Sequence, residues 1–99
     1  MKREITPVSP GEILRDEYLV PLAMSASKLA ELIDVPHNRI TEIVRGRRGV
    51  TADTALRLAR AFGTSPEFWL NLQAHYDLEL ARERSGADVR RIKPVRDAA

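Results

Sequence analysis

The stretch "SASKLAELIDVPHNRITEIVRG", Ser25–Gly46, decides how the chain folds. Ser25 is placed to cap a helix, and Leu29, Ala30 and Ile33 recur at the spacing of one buried helical face, with Lys28 and Glu31 turned outward. Asp34 follows in a turn, where a residue that tolerates positive φ is useful. Pro36 is expected to open the next helix, with Ile40, Ile43 and Val44 pointing inward and Gly46 standing where a C′ glycine belongs. Small Ala30 lets the two helices approach closely. The second helix is then anchored by its isoleucines and presents His37, Asn38, Arg39, Thr41, Glu42 and Arg45 outward.

Two helices so joined form a helix-turn-helix, whose second helix is a rigid reading head for the major groove of DNA. The outward residues suit that use. Asn pairs bidentately with adenine, Arg with guanine, and Thr contacts a thymine methyl. Ser25, Ser27 and Lys28, at the start of the preceding helix, suit phosphate contacts. For any one of these residues a solvated surface position is the simpler reading. The set together points to DNA.

Directly after the reading helix comes "GRRG", Gly46–Gly49. A G-x-x-G loop can clamp an RNA backbone, as in a KH domain. Such a domain needs three strands, and this chain offers no period-2 run of β-branched or aromatic residues long enough for two. The two glycines are better read as helix boundaries, Gly46 ending one helix and Gly49 letting the link turn before Thr51 caps the next. Arg47 and Arg48 then lie beside the end of the reading helix, within reach of phosphates flanking the groove.

The rest of the chain is helical too. "SPGE" places Ser9 as cap, Pro10 at the first helical position and Glu12 at the third, with Ile13, Leu14, Tyr18 and Leu19 as the apolar face up to Pro21. Ala55, Leu58, Ala59 and Phe62 form a buried stripe that ends at Gly63. Ser65 opens a longer last helix, expected to run to about Arg84, with Phe68, Trp69, Leu72, Tyr76 and Leu80 on one side. A second stripe, Leu70, Ala74, Leu78 and Ala81, exceeds what one small domain needs and suits a dimer interface or a partner groove. Residues 1–8 are expected to be a flexible lead-in, 9–84 the folded domain, and 85–99 a basic, poorly ordered tail.

Ninety-nine residues allow one domain. There is no cysteine, no apolar run near the ~20 residues that cross a bilayer, and no signal-peptide pattern in "MKREITPV", so a cytoplasmic protein without a membrane role is expected. Charge is unevenly spread beneath a net +2. Residues 36–49 hold four arginines against one glutamate, whereas residues 1–35 and 65–84 are each net negative. The basic block suits a polyanion. No histidine spacing suggests a metal site, no carboxylate pair or serine elbow suggests catalysis, and neither a cofactor nor a small-molecule ligand is implied.

From "SKLAELIDVPHNRITEIVRGRRGVTADTALRLARAFGTSPEFWLNLQAHYDLELAR", with "PGEILRDEYL" upstream, the chain closely resembles the HigA (VapI-type) antitoxins, a branch of the Xre/Cro helix-turn-helix class. The resemblance spans roughly Pro7 to Arg84, and "GRRGVTADTALRLA" and "GTSPEFWLNLQ" are its most specific pieces. It implies an all-α, five-helix lambda-repressor-like domain with a longer C-terminal helix, usually dimeric, that binds double-stranded operator DNA in its own promoter. It also implies capture of a HigB toxin, a RelE-like ribonuclease that cuts mRNA at the ribosome. The family's reading positions fall on His37, Asn38, Arg39, Thr41 and Glu42. Asp34 stands where glycine is common in the wider class. Toxin-contact residues do not carry over; the acidic N-terminal third and residues 65–84 are the candidate surfaces, since a protein that handles RNA should be basic. A stand-alone repressor without a toxin would use the same DNA-reading half, and a pure interaction protein would keep the fold without the DNA binding.

Overall fold

The computed structural model describes residues 7–96, so of the expected lead-in, residues 1–6 lie outside it, as do 97–99 of the tail. Five α-helices follow one another: α1 Pro10–Ile13, continued by a π-helical stretch over Leu14–Leu19; α2 Ala26–Leu32; α3 Arg39–Val44; α4 Ala52–Phe62; and α5 Pro66–Arg90. The fold is all-α, with no strand among the described residues.

Local chemistry sets most helix starts. Ser9, Ser25, Thr51 and Ser65 each hold extended backbone and accept a hydrogen bond from the N–H three residues on. Each such cap stabilises its helix by ~1 kcal/mol. Three helical segments then end in the same way, with a residue at positive φ and a pair of crossed hydrogen bonds. After α2 the residue is Asp34 (φ 57°), and the N–H of Val35 donates to Ala30 O at 3.0 Å. After α3 it is Gly46 (φ 75°), and the N–H of Arg47 donates to Glu42 O at 2.9 Å. After the first helical segment it is Ala23 (φ 51°), with Met24 N–H to Leu19 O at 2.9 Å.

Three boundaries differ from expectation. Pro36 does not open α3. The N–H of Arg39 instead donates to Pro36 O at 2.9 Å, closing a turn through His37 and Asn38, and the helix begins at Arg39. Val35, which would have to cap a helix opened by Pro36, has no side-chain acceptor. Secondly, the first helix widens, Val20 N–H reaching back five residues to Arg15 O at 2.9 Å. The wide turn lies just before Pro21, which has no N–H to donate and whose ring crowds the carbonyl one turn back. Thirdly, α5 runs on to Arg90 rather than stopping near Arg84, so the first six residues of the expected loose tail are helical. Gly86 costs only ~1 kcal/mol within a helix, too little to end one, and the helix stops four residues before Pro94.

The core gathers Leu14, Leu19, Leu29, Ala30, Ile33, Ile40, Ile43, Val50, Ala55, Leu58, Ala59 and Trp69. Trp69 is wholly buried, stacks within 5.3 Å of Tyr18, and donates its indole N–H to Thr64 Oγ1 at 2.8 Å. Phe68, expected on the same inward face, is 36% exposed and meets Trp69 edge-on from the rim. Beyond Leu80 the residues of α5 are exposed apart from Gly86.

Gly11 sets the distance between α1 and α3. A Cβ there would fall 1.9 Å from the carbonyl oxygen of Ile43 and 2.8 Å from Cα of Val44. Both obstacles are backbone, so neither can rotate away. Gly11→Ala should therefore lower stability by roughly 2–3 kcal/mol, as overpacking of a tight core does. Urea denaturation of the variant and the parent chain checks this.

Candidate nucleic-acid interface

The reading helix α3 is six residues long, with Ile40 and Ile43 fully buried beneath it. Its outward residues divide into two groups. At the N-terminal end, the turn before α3 meets the start of α2: Ser27 Oγ lies 3.5 Å from His37 Nε2, and both residues are exposed. Exposed Asn38 caps α3 through its backbone and makes no side-chain cap bond, which leaves its amide for other partners. Ser25 spends its hydroxyl on the N–H of Lys28 (3.0 Å), and Lys28 pairs with Glu31 at 3.2 Å. Ser27 and Lys28 thus present side chains outward, while Ser25 serves first as a cap.

Arg39 differs from the freely projecting residue expected. It is half-buried, and its Nη1 donates to the hydroxyl of Thr54 at 3.3 Å. Thr54 belongs to α4 and is itself buried, and its Oγ1 also accepts from Thr51. A guanidinium has five donors in a fixed fork. Thr54 takes one of them.

At the C-terminal end, Arg45, Arg47 and Arg48 are all exposed. Arg48 Nε meets Glu42 Oε1 at 3.0 Å, so a residue expected to face bases also orients a neighbouring arginine. That pair offsets the one carboxylate within the basic block. Arg45 and Arg47 line an open cleft with Pro7, Ser9, Glu12, Arg15 and Tyr76. Thr41 lies half-buried between the two groups. The second apolar stripe of α5 is split: Leu70 is half-buried, whereas Ala74, Leu78 and Ala81 are exposed, Leu78 by 52%.

Residues outside the motif hold this surface in place. Arg57 on α4 reaches across 24 residues, its Nη1 donating to Ile33 O at 2.8 Å and to Asp34 O at 3.2 Å. These are carbonyls at the end of α2, where a cation also suits the helix dipole. Asp53 steadies the same guanidinium at 2.9 Å. In sequence Asp53 and Arg57 are an ordinary i,i+4 surface pair, and nothing in that spacing signals the reach to the turn.

Residues 16–69 match the family described as Helix-turn-helix. Virulence-associated protein I of Dichelobacter nodosus is 54% identical over 82 residues, covering 83% of this chain and 76% of that protein. Antitoxin HigA-1 of Vibrio cholerae is 40% identical over 95 residues, covering 95% of this chain and 89% of that one. The chain belongs to the HigA antitoxin family. The solved structure of the Pseudomonas aeruginosa antitoxin HigA with the higBA promoter superposes with a TM-score of 0.87 at 43% identity, over 91% of this chain and 99% of that one. HigA proteins are DNA-binding helix-turn-helix antitoxins and not enzymes. Among the described residues no helix is long and apolar enough to cross a membrane.

Arg57→Met keeps the apolar stem of the side chain and removes every donor. The variant is expected to lose about 1–2 kcal/mol of stability, near the lower end for hydrogen bonds from a charged group because this one is partly exposed. Amide exchange at Val35 should accelerate with it. Unchanged exchange there would mean that the turn stands without Arg57.

Proposed function

We propose that this HigA protein represses its own promoter as a dimer and neutralises a HigB-type ribonuclease toxin by binding it. The observation that carries the DNA half is the pair of polar and basic groups that flank the two ends of one anchored helix. Ser27, Lys28, His37, Asn38 and Arg39 stand at its entry, and Arg45, Arg47 and Arg48 at its exit. The relative solved with the higBA promoter supports the same use.

In this reading α3 enters the major groove. His37, Asn38, Arg39 and Thr41 face base edges, with Glu42 acting through Arg48. Ser25, Ser27 and Lys28 on one side, and Arg45, Arg47 and Arg48 on the other, meet phosphates and set register without reading sequence. Two protomers associate through the outer stripe of α5, where Leu78 is half exposed. Their reading helices then address half-sites about one helical turn (~34 Å) apart. A strictly monomeric chain at tens of micromolar by light scattering would contradict the dimer.

Asn38→Ala and Arg39→Ala should relax sequence preference, at a cost of ~1–3 kcal/mol for each base no longer read. Arg47→Ala and Arg48→Ala should instead weaken binding to every sequence and flatten its dependence on salt. Fluorescence anisotropy with the chain's own promoter and with random duplex, across a salt series, separates the two classes. Equal losses on both duplexes for all four variants would remove the distinction.

For the toxin half, co-expression with the neighbouring reading frame should rescue growth and yield a co-purifying complex. A neighbour that is harmless alone and does not co-purify would leave a stand-alone repressor.

A further inference from the structure

The link from α3 to α4 is short, and it is held at both ends by different parts of the molecule. At its start, α3 secures it: the N–H of Arg47 donates to Glu42 O, and the Arg48 guanidinium rests on the Glu42 carboxylate. At its end, α5 secures it. Gln73 Oε1 accepts the backbone N–H of buried Val50 at 2.7 Å, while its Nε2 donates to Asp77 Oδ1 at 3.0 Å. Gly49 lies against the same amide, since a Cβ there would sit 3.1 Å from the Gln73 Cδ and Nε2. Gly49 is not at positive φ, so it answers to this close approach and not to a left-handed turn.

We propose that Gln73 is a positioning residue for the phosphate anchor, fixing from α5 where Arg47 and Arg48 meet the DNA backbone. The inference rests on the reading of those two arginines as phosphate contacts. An amide is well suited to the task. It adds no net charge beside the arginines, and it has an acceptor for Val50 and a donor for Asp77. Asp77 in turn fixes which way the amide faces. Were Gln73 replaced by an apolar side chain, the Val50 N–H would be buried without an acceptor and the link would have to shift to find one.

The test compares Gln73→Leu, Gly49→Ala, the pair Arg47→Ala/Arg48→Ala, and Gln73→Leu added to that pair. For each the full chain binds promoter and random duplex over a salt series. Circular dichroism checks folding, and amide exchange is followed at Val50. Gln73→Leu is expected to weaken both duplexes by a similar factor and to make the salt slope shallower, by about 0.9 for each phosphate that a protomer no longer neutralises. Val50 exchange should rise in the same variant. Adding it to the arginine pair should change the slope no further. Gly49→Ala, which crowds the same amide from the link, should change the slope in the same direction and stands in if Gln73→Leu does not fold.

A parental slope in Gln73→Leu and Gly49→Ala, beside a flattened one in the arginine pair, would reduce Gln73 to a purely structural role and overturn the inference. Slope losses that add to those of the arginine pair would place its action elsewhere and also overturn it. A parental slope in the arginine pair itself would remove the phosphate anchor, and this inference with it.

Discussion

Six residues make less than two turns of helix, and a helix that short has no stability of its own in water. α3 exists because Ile40 and Ile43 are completely buried. Each neighbouring element contributes something to that burial or to the geometry around it. α1 brings a bare backbone face against the end of α3 at Gly11. α4 supplies Thr54 to the first residue of the helix and Arg57 to the turn that precedes it. α5 supplies Gln73 to the link that follows. The tryptophan on α5 stacks with Tyr18 and Phe62, and so ties the two ends of the domain together around the same centre.

Electrostatics plays a different part. The ion pairs are surface pairs with substantial exposure, and solvent screening leaves such pairs little weight in stability. Their value is in arrangement. Glu42 holds Arg48 and its own charge is offset within the basic block, and Asp53 holds Arg57 in reach of two carbonyls. The uneven spread of charge, four arginines within residues 36–49 of a nearly neutral chain, provides the long-range attraction that these short contacts refine.

Much of this is legible in the sequence because it is written in local chemistry. Caps at Ser9, Ser25, Thr51 and Ser65, the αL position of Asp34 and the end of α3 at Gly46 all depend on residues within one turn of each other. So do the buried stripes. The start of α3 is not legible in the same way, because Pro36 fits either a first helical turn or a tight turn, and the choice depends on what precedes it. The length of α5 exceeds expectation because a glycine resembles a stop, and a single Gly86 is not one. Gly11, Thr54, Arg57 and Gln73 leave no local trace: they act over 15 or more positions, and Gly11 acts through an absent side chain. Periodicity does not register contacts of that kind. Glu42 shows the same limit, since its spacing marks it as outward but does not reveal its partner six residues on.

The division between what supports α3 and what projects from it has an evolutionary consequence. His37 and Asn38 lie in the turn, exposed and free of any role in the core, and Thr41 contributes little to it. Under the proposed reading of α3, substitutions at these positions alter which bases are preferred while the domain keeps its stability, so a lineage can drift from one promoter sequence to another in single steps. Arg39 and Glu42 do not have that freedom, since changing either unsettles Thr54 or Arg48 as well. Duplicated copies of such a gene within one genome would therefore be expected to diverge first at 37, 38 and 41, with 39 and 42 changing later and together with their partners.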